Sequence, residues 1–560
     1  MKRIILSITI LLLQIHAVSL HAQSIAKNYK GDNNNNPISA SVFCADPTAL
    51  DYNGRLYVYG SNDHQQFIAN GKKNKNGYGA IKSLVVLSTD DLVNWTFHGT
   101  IDVKKVCSWS GNSWAPSATW RINDQGKPEF FIYFANGASN VGVMKGDSPI
   151  GPFKSPRSTP IVNHGMSGVD PCNWLFDPGV VVMENGDAWL SFGGGDPNNQ
   201  GNDLLPGNAR IAKLKKNMTE IDGKAINLPA PYHFEASELN NIGGKFAYTY
   251  CSSWRGRNNW SKYQKDKGIT VSAPGQCTMC YMVTDDPTNP DSWEYRGDYG
   301  PHPGTSENNH SHLQKFNGGY YHIYHSGALL VGMKNAGGVD QSANMYRSIC
   351  INKVTVNEET QKINRVSLNN NGPAAVKTFN PYQLQQAETM ATCGGVMYEH
   401  FTNITKNTSV STLGNDASRN MQVKMSPGSW IMVRNVDFGK NGASRFMFRT
   451  KGTGTIELRL GKITNDPVAT MEFTSRVYAD NELDVNPSVF KGSNKKLFIV
   501  FTKATNLQFD AWQFTEDDPT PVISPLLPED EPLLFDLQGH RVTNPTRGIY
   551  IRDGRKVVIK

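Results

Sequence analysis

The chain has 560 residues, roughly three to four domains' worth and ample for one large core beside a smaller one. Its formal charge is +7, or +5 once Lys2 and Arg3 of an N-terminal leader are set aside; no basic cluster appears, and nothing implies a nucleic-acid partner. Eight cysteines scattered over this length exclude a small disulfide-framework protein.

The first residues, "MKRIILSITILLLQIHAVSLHAQS", join a basic start to an apolar run from Ile4 to Leu13, with small residues before a cleavage site near Ala22. This pattern predicts a signal peptide over 1–22. The run is too short to span a bilayer, and no later segment approaches the roughly 20 apolar residues that a span needs. No cysteine follows it, which argues against a lipoprotein anchor. The expected product is exported and soluble, periplasmic or cell-surface/extracellular in a Gram-negative bacterium, with its oligomeric state open. The polar stretch "KNYKGDNNNNPISA" reads as a disordered lead-in.

A pattern then repeats. Runs rich in β-branched and aromatic residues come in pairs: 55–61 with 83–89, 129–135 with 141–147, 187–193 with 209–215, 245–251 with 278–284, and 319–325 with 346–352. Each is bounded by Gly, Asn, Asp or Pro, the signal of a strand. Turn-rich loops such as "STDDLVNW", "GDSPIGPF" and "TDDPTNPDSW" follow the second run of a pair. Five such units predict an all-β fold, a five-bladed β-propeller, over 38–370. A pair of β-sandwiches would not need the same unit five times.

From about Tyr382 the texture changes to long alternating stretches, "FRTKGTGTIELRL", "KKLFIVFT" and "NLQFDAWQF", which predict a β-sandwich (jelly-roll) over 382–516. A Pro- and acid-rich linker is expected at 517–532 and a short β-rich tail at 533–560. Cys277 and Cys280 form a CxxC with no second pair to complete a zinc site, and read as a strand-borne pair or a local disulfide.

Carboxylates carry the functional signal. "PYHFEASEL" (231–239) sets Glu235 and Glu238 among aromatic and apolar residues, where a buried acid has either a structural partner or a chemical task. Asp46 in "CADPTAL" and Asp177 in "LFDPGVV" each precede a proline, which fixes a turn and holds the aspartate at a strand's rim. In a propeller, Asp46 would open the first blade, Asp177 the third and Glu235 the fourth. Three carboxyls converging on one pocket suit glycoside hydrolysis, in which one gives a proton and another activates water or attacks the sugar.

The motifs "CADPTALDYNGRLYVYGSNDH", "SWAPSATW", "FDPGVV", "HFEASEL" and "NNHSHLQKFNGGYYHIYH" resemble, in order, those of glycoside hydrolase family 43. The resemblance implies a five-bladed propeller and an inverting mechanism. It makes Asp46 the general base, Asp177 the residue that orients the acid and tunes its pKa, and Glu235 the general acid. His310 matches the family's central histidine, which lies beside a calcium ion or its waters in many members; here Ser311 follows where a second histidine is usual. Arg347 matches a position that reaches the sugar, the alternative being a surface arginine. Trp114 and Trp174 are candidate stacking platforms or core residues.

Residues 382–516 resemble carbohydrate-binding module family 6 in "QAE", "NVDFGKNGA", "IELRL" and "FDAWQF". Lys424 and Gln508 stand where a cleft tyrosine and asparagine are usual, and Tyr478 keeps an aromatic platform. The tail resembles C-terminal segments of exported Bacteroidetes proteins, or is a docked strand pair. The expected activity is exo-acting release of α-L-arabinofuranosyl units from arabinoxylan, arabinan or related oligosaccharides. β-Xylosidase, galactofuranosidase and a non-catalytic glycan-binding protein are the alternatives.

Overall fold

The structure is a computed structural model that describes residues 24–195, 203–304, 308–404, 421–517, 534–537, 542, 545–552 and 555–559. The leader at 1–22, and all but the first residue of the linker at 517–532, lie outside the described residues. Residues up to Glu516 form one compact unit and Asp517–Lys560 a second.

Five antiparallel sheets follow one another along the first unit. They comprise β1 (Ala45–Tyr52), β2 (Arg55–Ser61), β3 (Ser83–Thr89) and β4 (Trp95–Asp102); β5 (Trp114–Ile122), β6 (Pro128–Ala135), β7 (Val141–Gly146) and β8 (Phe153–Lys154); β9 (Gly179–Val182), β10 (Ala188–Phe192), β11 (Arg210–Leu214) and β12 (Ile221–Asn227); β13 (His233–Ile242), β14 (Lys245–Ser252), β15 (Met279–Thr284) and β16 (Glu294–Gly300); and β17 (Ser311–Phe316), β18 (Gly319–Ser326) and β19 (Ser348–Val354). The paired runs of the sequence are the second and third strands of these sheets. They are legible because all but the edge strand β19 are paired on both flanks and their faces are packed, which calls for continuous apolar runs. The first strands touch in a closed cycle, β1 to β5, β5 to β9, β9 to β13, β13 to β17 and β17 to β1.

Near the start of each of the first four sheets one residue lies in the left-handed backbone region: Asp46 (φ 49°), Ala115 (φ 36°), Asp177 (φ 46°) and Ala236 (φ 60°). For a residue with a Cβ such a conformation costs on the order of 1–3 kcal/mol. In β1, β5 and β13 the pairing register slips over the same stretch, between Ala45 and Thr48, Trp114 and Ser117, and Glu235 and Glu238. These bulges re-aim side chains at the strand rim.

The C-terminal part of the first unit is built on one eight-stranded ladder around the long strand Lys495–Glu516, which pairs with Ser429–Val436, Met421–Met425 and Ala443–Leu460. It is joined to the first sheet through a short fifth strand of that sheet. Thr389–Met390 pairs with Trp95–Thr96 on β4, and one core runs from Val58, Val85 and Trp95 through Phe401 and Val423 to Phe501 and Phe509.

The polar start proves to be a strap. Asn36 is fully buried; its amide donates to the Ile351 and Asn369 carbonyls and accepts from Ile351 N–H. Asn35 donates to Pro373 O, and Ala26 O accepts from the Trp430 indole. The expectation of disorder rested on polarity, but asparagine amides can satisfy buried backbone groups as strand partners do. Cys277 and Cys280 are free, buried thiols not bonded to each other; Cys277 Sγ lies 3.6 Å from Cys251 Sγ across the strands. Among the described residues no helix is long and apolar enough to cross a membrane. The second unit holds a three-stranded sheet of Leu534–Phe535, Gly548–Arg552 and Arg555–Ile559.

Candidate active site

Asp46, on the bulge of β1, is 5% exposed. Its Oδ1 accepts from Arg347 Nη1 at 2.7 Å and its Oδ2 from Ser61 Oγ at 2.8 Å. Arg347, just before β19, is 2% exposed, so the surface alternative does not fit. Its Nε and Nη2 each donate to Asp63 at 2.9 Å, and its guanidinium lies 4.9 Å from the Tyr78 ring centre. Burial pushes the Asp46 carboxyl up, but Arg347, His325 and His310 together outweigh that and hold it well below the usual carboxylate range. Asp46 is therefore ionised.

His325 braces the same residue. Its Nδ1 lies 3.0 Å from Asp46 N and 3.3 Å from Asp46 Oδ1. The shorter contact requires Nδ1 to accept, which leaves the ring proton on Nε2, 3.2 Å from Asn308 O.

Asp177, two residues before β9, uses Oδ2 to accept from Ala236 N–H at 2.8 Å, and its carbonyl accepts from Ser237 Oγ at 2.6 Å. It thereby grips the strand on both residues that follow Glu235. Glu235 is half-buried as a whole, but its Oε1 is enclosed and has no hydrogen-bond partner among the described residues. Burial, then Asp177, then Asp46 push the Glu235 carboxyl well up, and burial with Asp46 pushes Asp177 up too. Closely placed acids cannot all ionise, so protons stay on this pair while Asp46 stays charged.

His310 sits between the two aspartates, its Nδ1 3.9 Å from Asp46 Oδ1 and 3.8 Å from Asp177 Oδ2. Burial pulls its pKa down to about 4, with Asp46 opposing, so the ring is neutral above that. Calcium prefers six to eight oxygens. Among the described residues no group of three or more His, Cys, Asp or Glu side chains is placed to hold a metal, so the protein side chains around His310 do not fit a calcium cage.

Trp114 is half-buried, its indole donating to Tyr78 O at 3.1 Å. Trp174 is 38% exposed and meets Phe176 and Phe234 edge-on at 5.4 and 5.8 Å. Glu238 points elsewhere: it is 1% exposed, accepts from Ser117 Oγ at 3.1 Å and lies 3.5 Å from His312 Nδ1, longer than a hydrogen bond.

Sequence reasoning missed Ser61, Asp63, Tyr78 and His325. Asp63 is fully buried at the start of the helix Asp63–Ala69. Its only local sign is an acid two residues after the apolar run "RLYVYGS", where burial demands a cation. That cation lies 284 positions away.

An ionised carboxylate and an enclosed, protonated carboxyl on a ring of strands that each start a sheet make this a glycoside hydrolase. The family profile "Glycosyl hydrolases family 43" matches residues 34–360. The chain is 34% identical over 534 residues to an arabinoxylan arabinofuranohydrolase of Bacillus subtilis, covering 91% of this chain and 98% of that protein. A Paenibacillus polymyxa arabinoxylan arabinofuranohydrolase is 33% identical over 86% of this chain and 74% of its own length. The crystal structure of a family 43 arabinoxylan arabinofuranohydrolase from B. subtilis in complex with cellotetraose superposes with a TM-score of 0.77 at 32% identity, over 88% of this chain and 99% of that one. The chain belongs to glycosyl hydrolases family 43, and its all-β fold is a propeller of that family.

Proposed function

We propose that the protein is an exported, inverting, exo-acting α-L-arabinofuranosidase that removes arabinofuranosyl units from arabinoxylan or related oligosaccharides. The observation that carries the mechanism is the opposite treatment of two acids: Arg347 keeps Asp46 ionised, while enclosure keeps Glu235 protonated. The substrate follows the names of the relatives above. Asp46 takes a proton from water as its oxygen bonds to the anomeric carbon from one side; on the other side the glycosidic C–O bond breaks, and Glu235 gives its proton to the departing oxygen. Asp177 orients Glu235 through Ala236 and Ser237. The Trp114 and Trp174 faces are the surfaces offered to the sugar, and the buried Arg347 guanidinium serves it through Asp46.

Five sheets in a closed cycle support five blades, and residues 382–516 are read as a β-sandwich of the carbohydrate-binding type. There Arg449 backs Tyr478 at 5.7 Å, and Lys424 faces Gln508 in register. No step uses a metal; calcium at His310 would have to take most of its oxygen ligands from water.

A panel of aryl α-L-arabinofuranoside, β-xyloside and galactofuranoside, with arabinoxylan and arabinan, tests the substrate. Arabinofuranoside is expected to be cleaved first. A faster xyloside or galactofuranoside would replace the reading, and no cleavage of any would leave a glycan-binding protein. Proton NMR of the first-formed anomer is expected to show inversion.

A further inference from the structure

The base is braced from outside the catalytic span. Beside Asp63, which holds Arg347, stands His64, fully buried and bonded to both sides of the Phe43 peptide: Phe43 N–H donates to His64 Nδ1 at 3.3 Å and His64 N–H to Phe43 O at 3.2 Å. Phe43 leads, through Cys44, whose N–H donates to Arg347 O at 2.9 Å, to Asp46. His64 thus fixes both the strand that carries Asp46 and the turn that carries Asp63.

What holds His64 comes from the C-terminal part. Glu399 Oε2 lies 3.3 Å from His64 Nε2, short of ideal hydrogen-bond geometry, while Glu399 Oε1 is 2.5 Å from Lys72 Nζ. The Tyr398 ring stacks on the His64 imidazole at 4.8 Å and 25°, and Tyr398 N–H donates to Ser41 O at 2.9 Å. Because Nδ1 accepts from Phe43, the neutral ring carries its proton on Nε2, facing Glu399. The acceptor therefore selects the tautomer that the Phe43 bond requires.

We propose that Glu399, with Tyr398 stacked beside it, is a positioning residue for the general base. It acts through His64 on the Phe43–Asp46 strand and on the Asp63–Arg347 clamp. The proposal rests on the reading of Asp46 as base. It gives the C-terminal part a catalytic consequence independent of glycan binding, since residues 398 and 399 lie beyond the matched span of 34–360.

The test compares full-length Glu399→Ala, Glu399→Gln and Tyr398→Leu with the parent chain on an aryl arabinofuranoside and on arabinoxylan. Glu399→Ala is expected to lower kcat about tenfold on both with KM within about twofold, since a small displacement of a reacting group is felt in the chemical step. Glu399→Gln, whose amide oxygen can take the same place opposite Nε2–H, is expected to restore kcat to within about threefold. An unchanged kcat in Glu399→Ala, a loss confined to KM, or a Gln variant as impaired as Ala overturns the proposal. If Glu399→Ala does not fold, Tyr398→Leu must show the same kcat loss, and a parental kcat there overturns it. Asp46→Asn with retained activity would instead bring down the base assignment, whatever the Glu399 variants do.

Discussion

Arg347 holds Asp46 by one 2.7 Å contact from Nη1 to Oδ1, while Asp63 grips the rest of the guanidinium through Nε and Nη2. One buried cation thus serves two buried acids, and its planar fork sets the direction of the carboxylate that activates water. Lysine supplies the charge without the fork. Arg347→Lys is expected to lower kcat about a hundredfold. Arg347→Met, which leaves two acids uncompensated, is expected to cost about 3–5 kcal/mol in denaturant unfolding. A lysine variant with parental kcat would show that charge alone suffices.

Stability should depend on pH with opposite signs at the two acids. Glu235 keeps its proton when folded at pH values where an unfolded glutamate, with pKa about 4.3, has lost it. The folded state then binds more protons, so Glu235 withdraws stability as pH rises from the unfolded value toward its raised folded value. Asp46 contributes stability above an unfolded pKa of about 3.9, lost as pH falls toward its depressed folded value. Glu235→Gln should therefore melt higher than the parent near neutrality, with the gap closing toward about pH 4. Thermal melts across that range check this, and a constant gap would contradict it.

Glu238 is expected to behave as a structural acid. Its partners, Ser117 and His312, tie β13 to β5 and β17. Glu238→Ala should cost about 1–3 kcal/mol in urea unfolding and leave kcat within about tenfold, since buried partners lose their acceptor while the reacting acids stay in place. Glu235→Ala should do the reverse, losing activity with little loss of stability.

Trp174 presents an open indole face backed by Phe176 and Phe234. Trp174→Ala is expected to raise KM on arabinoxylan about tenfold, with kcat on a small aryl substrate within about threefold, since the lost contact is one of binding. Isothermal titration of an inactive Glu235→Gln background with arabinoxylan fragments reads the same loss.

Much of this was legible in the sequence, for physical reasons. The paired runs predicted the second and third strands of the five repeated sheets. The first strands were harder, because "CADPTAL", "SWAPSATW" and "HFEASEL" carry left-handed residues, prolines and bulges that break a period of two. The candidate acids showed themselves as charges at the rims of apolar runs. Asp63 and His325 did not, because their partners are far away in the chain. The Asn-rich strap was misread because composition does not reveal that amides can replace strand pairing. The pairing of Thr389–Met390 with β4 was likewise invisible, since two residues carry no periodicity.

The division of labour between Glu235 and Asp46 is tested most directly by leaving-group dependence. Glu235→Gln and Asp46→Asn are each assayed on arabinoxylan and on a dinitrophenyl arabinofuranoside, whose leaving group needs no proton. Glu235→Gln is expected to fall about a thousandfold or more on arabinoxylan and far less on the dinitrophenyl substrate; Asp46→Asn should fall about equally on both, because both need the activated water. The reverse pattern, or an Asp46→Asn enzyme that keeps its rate, would contradict the account.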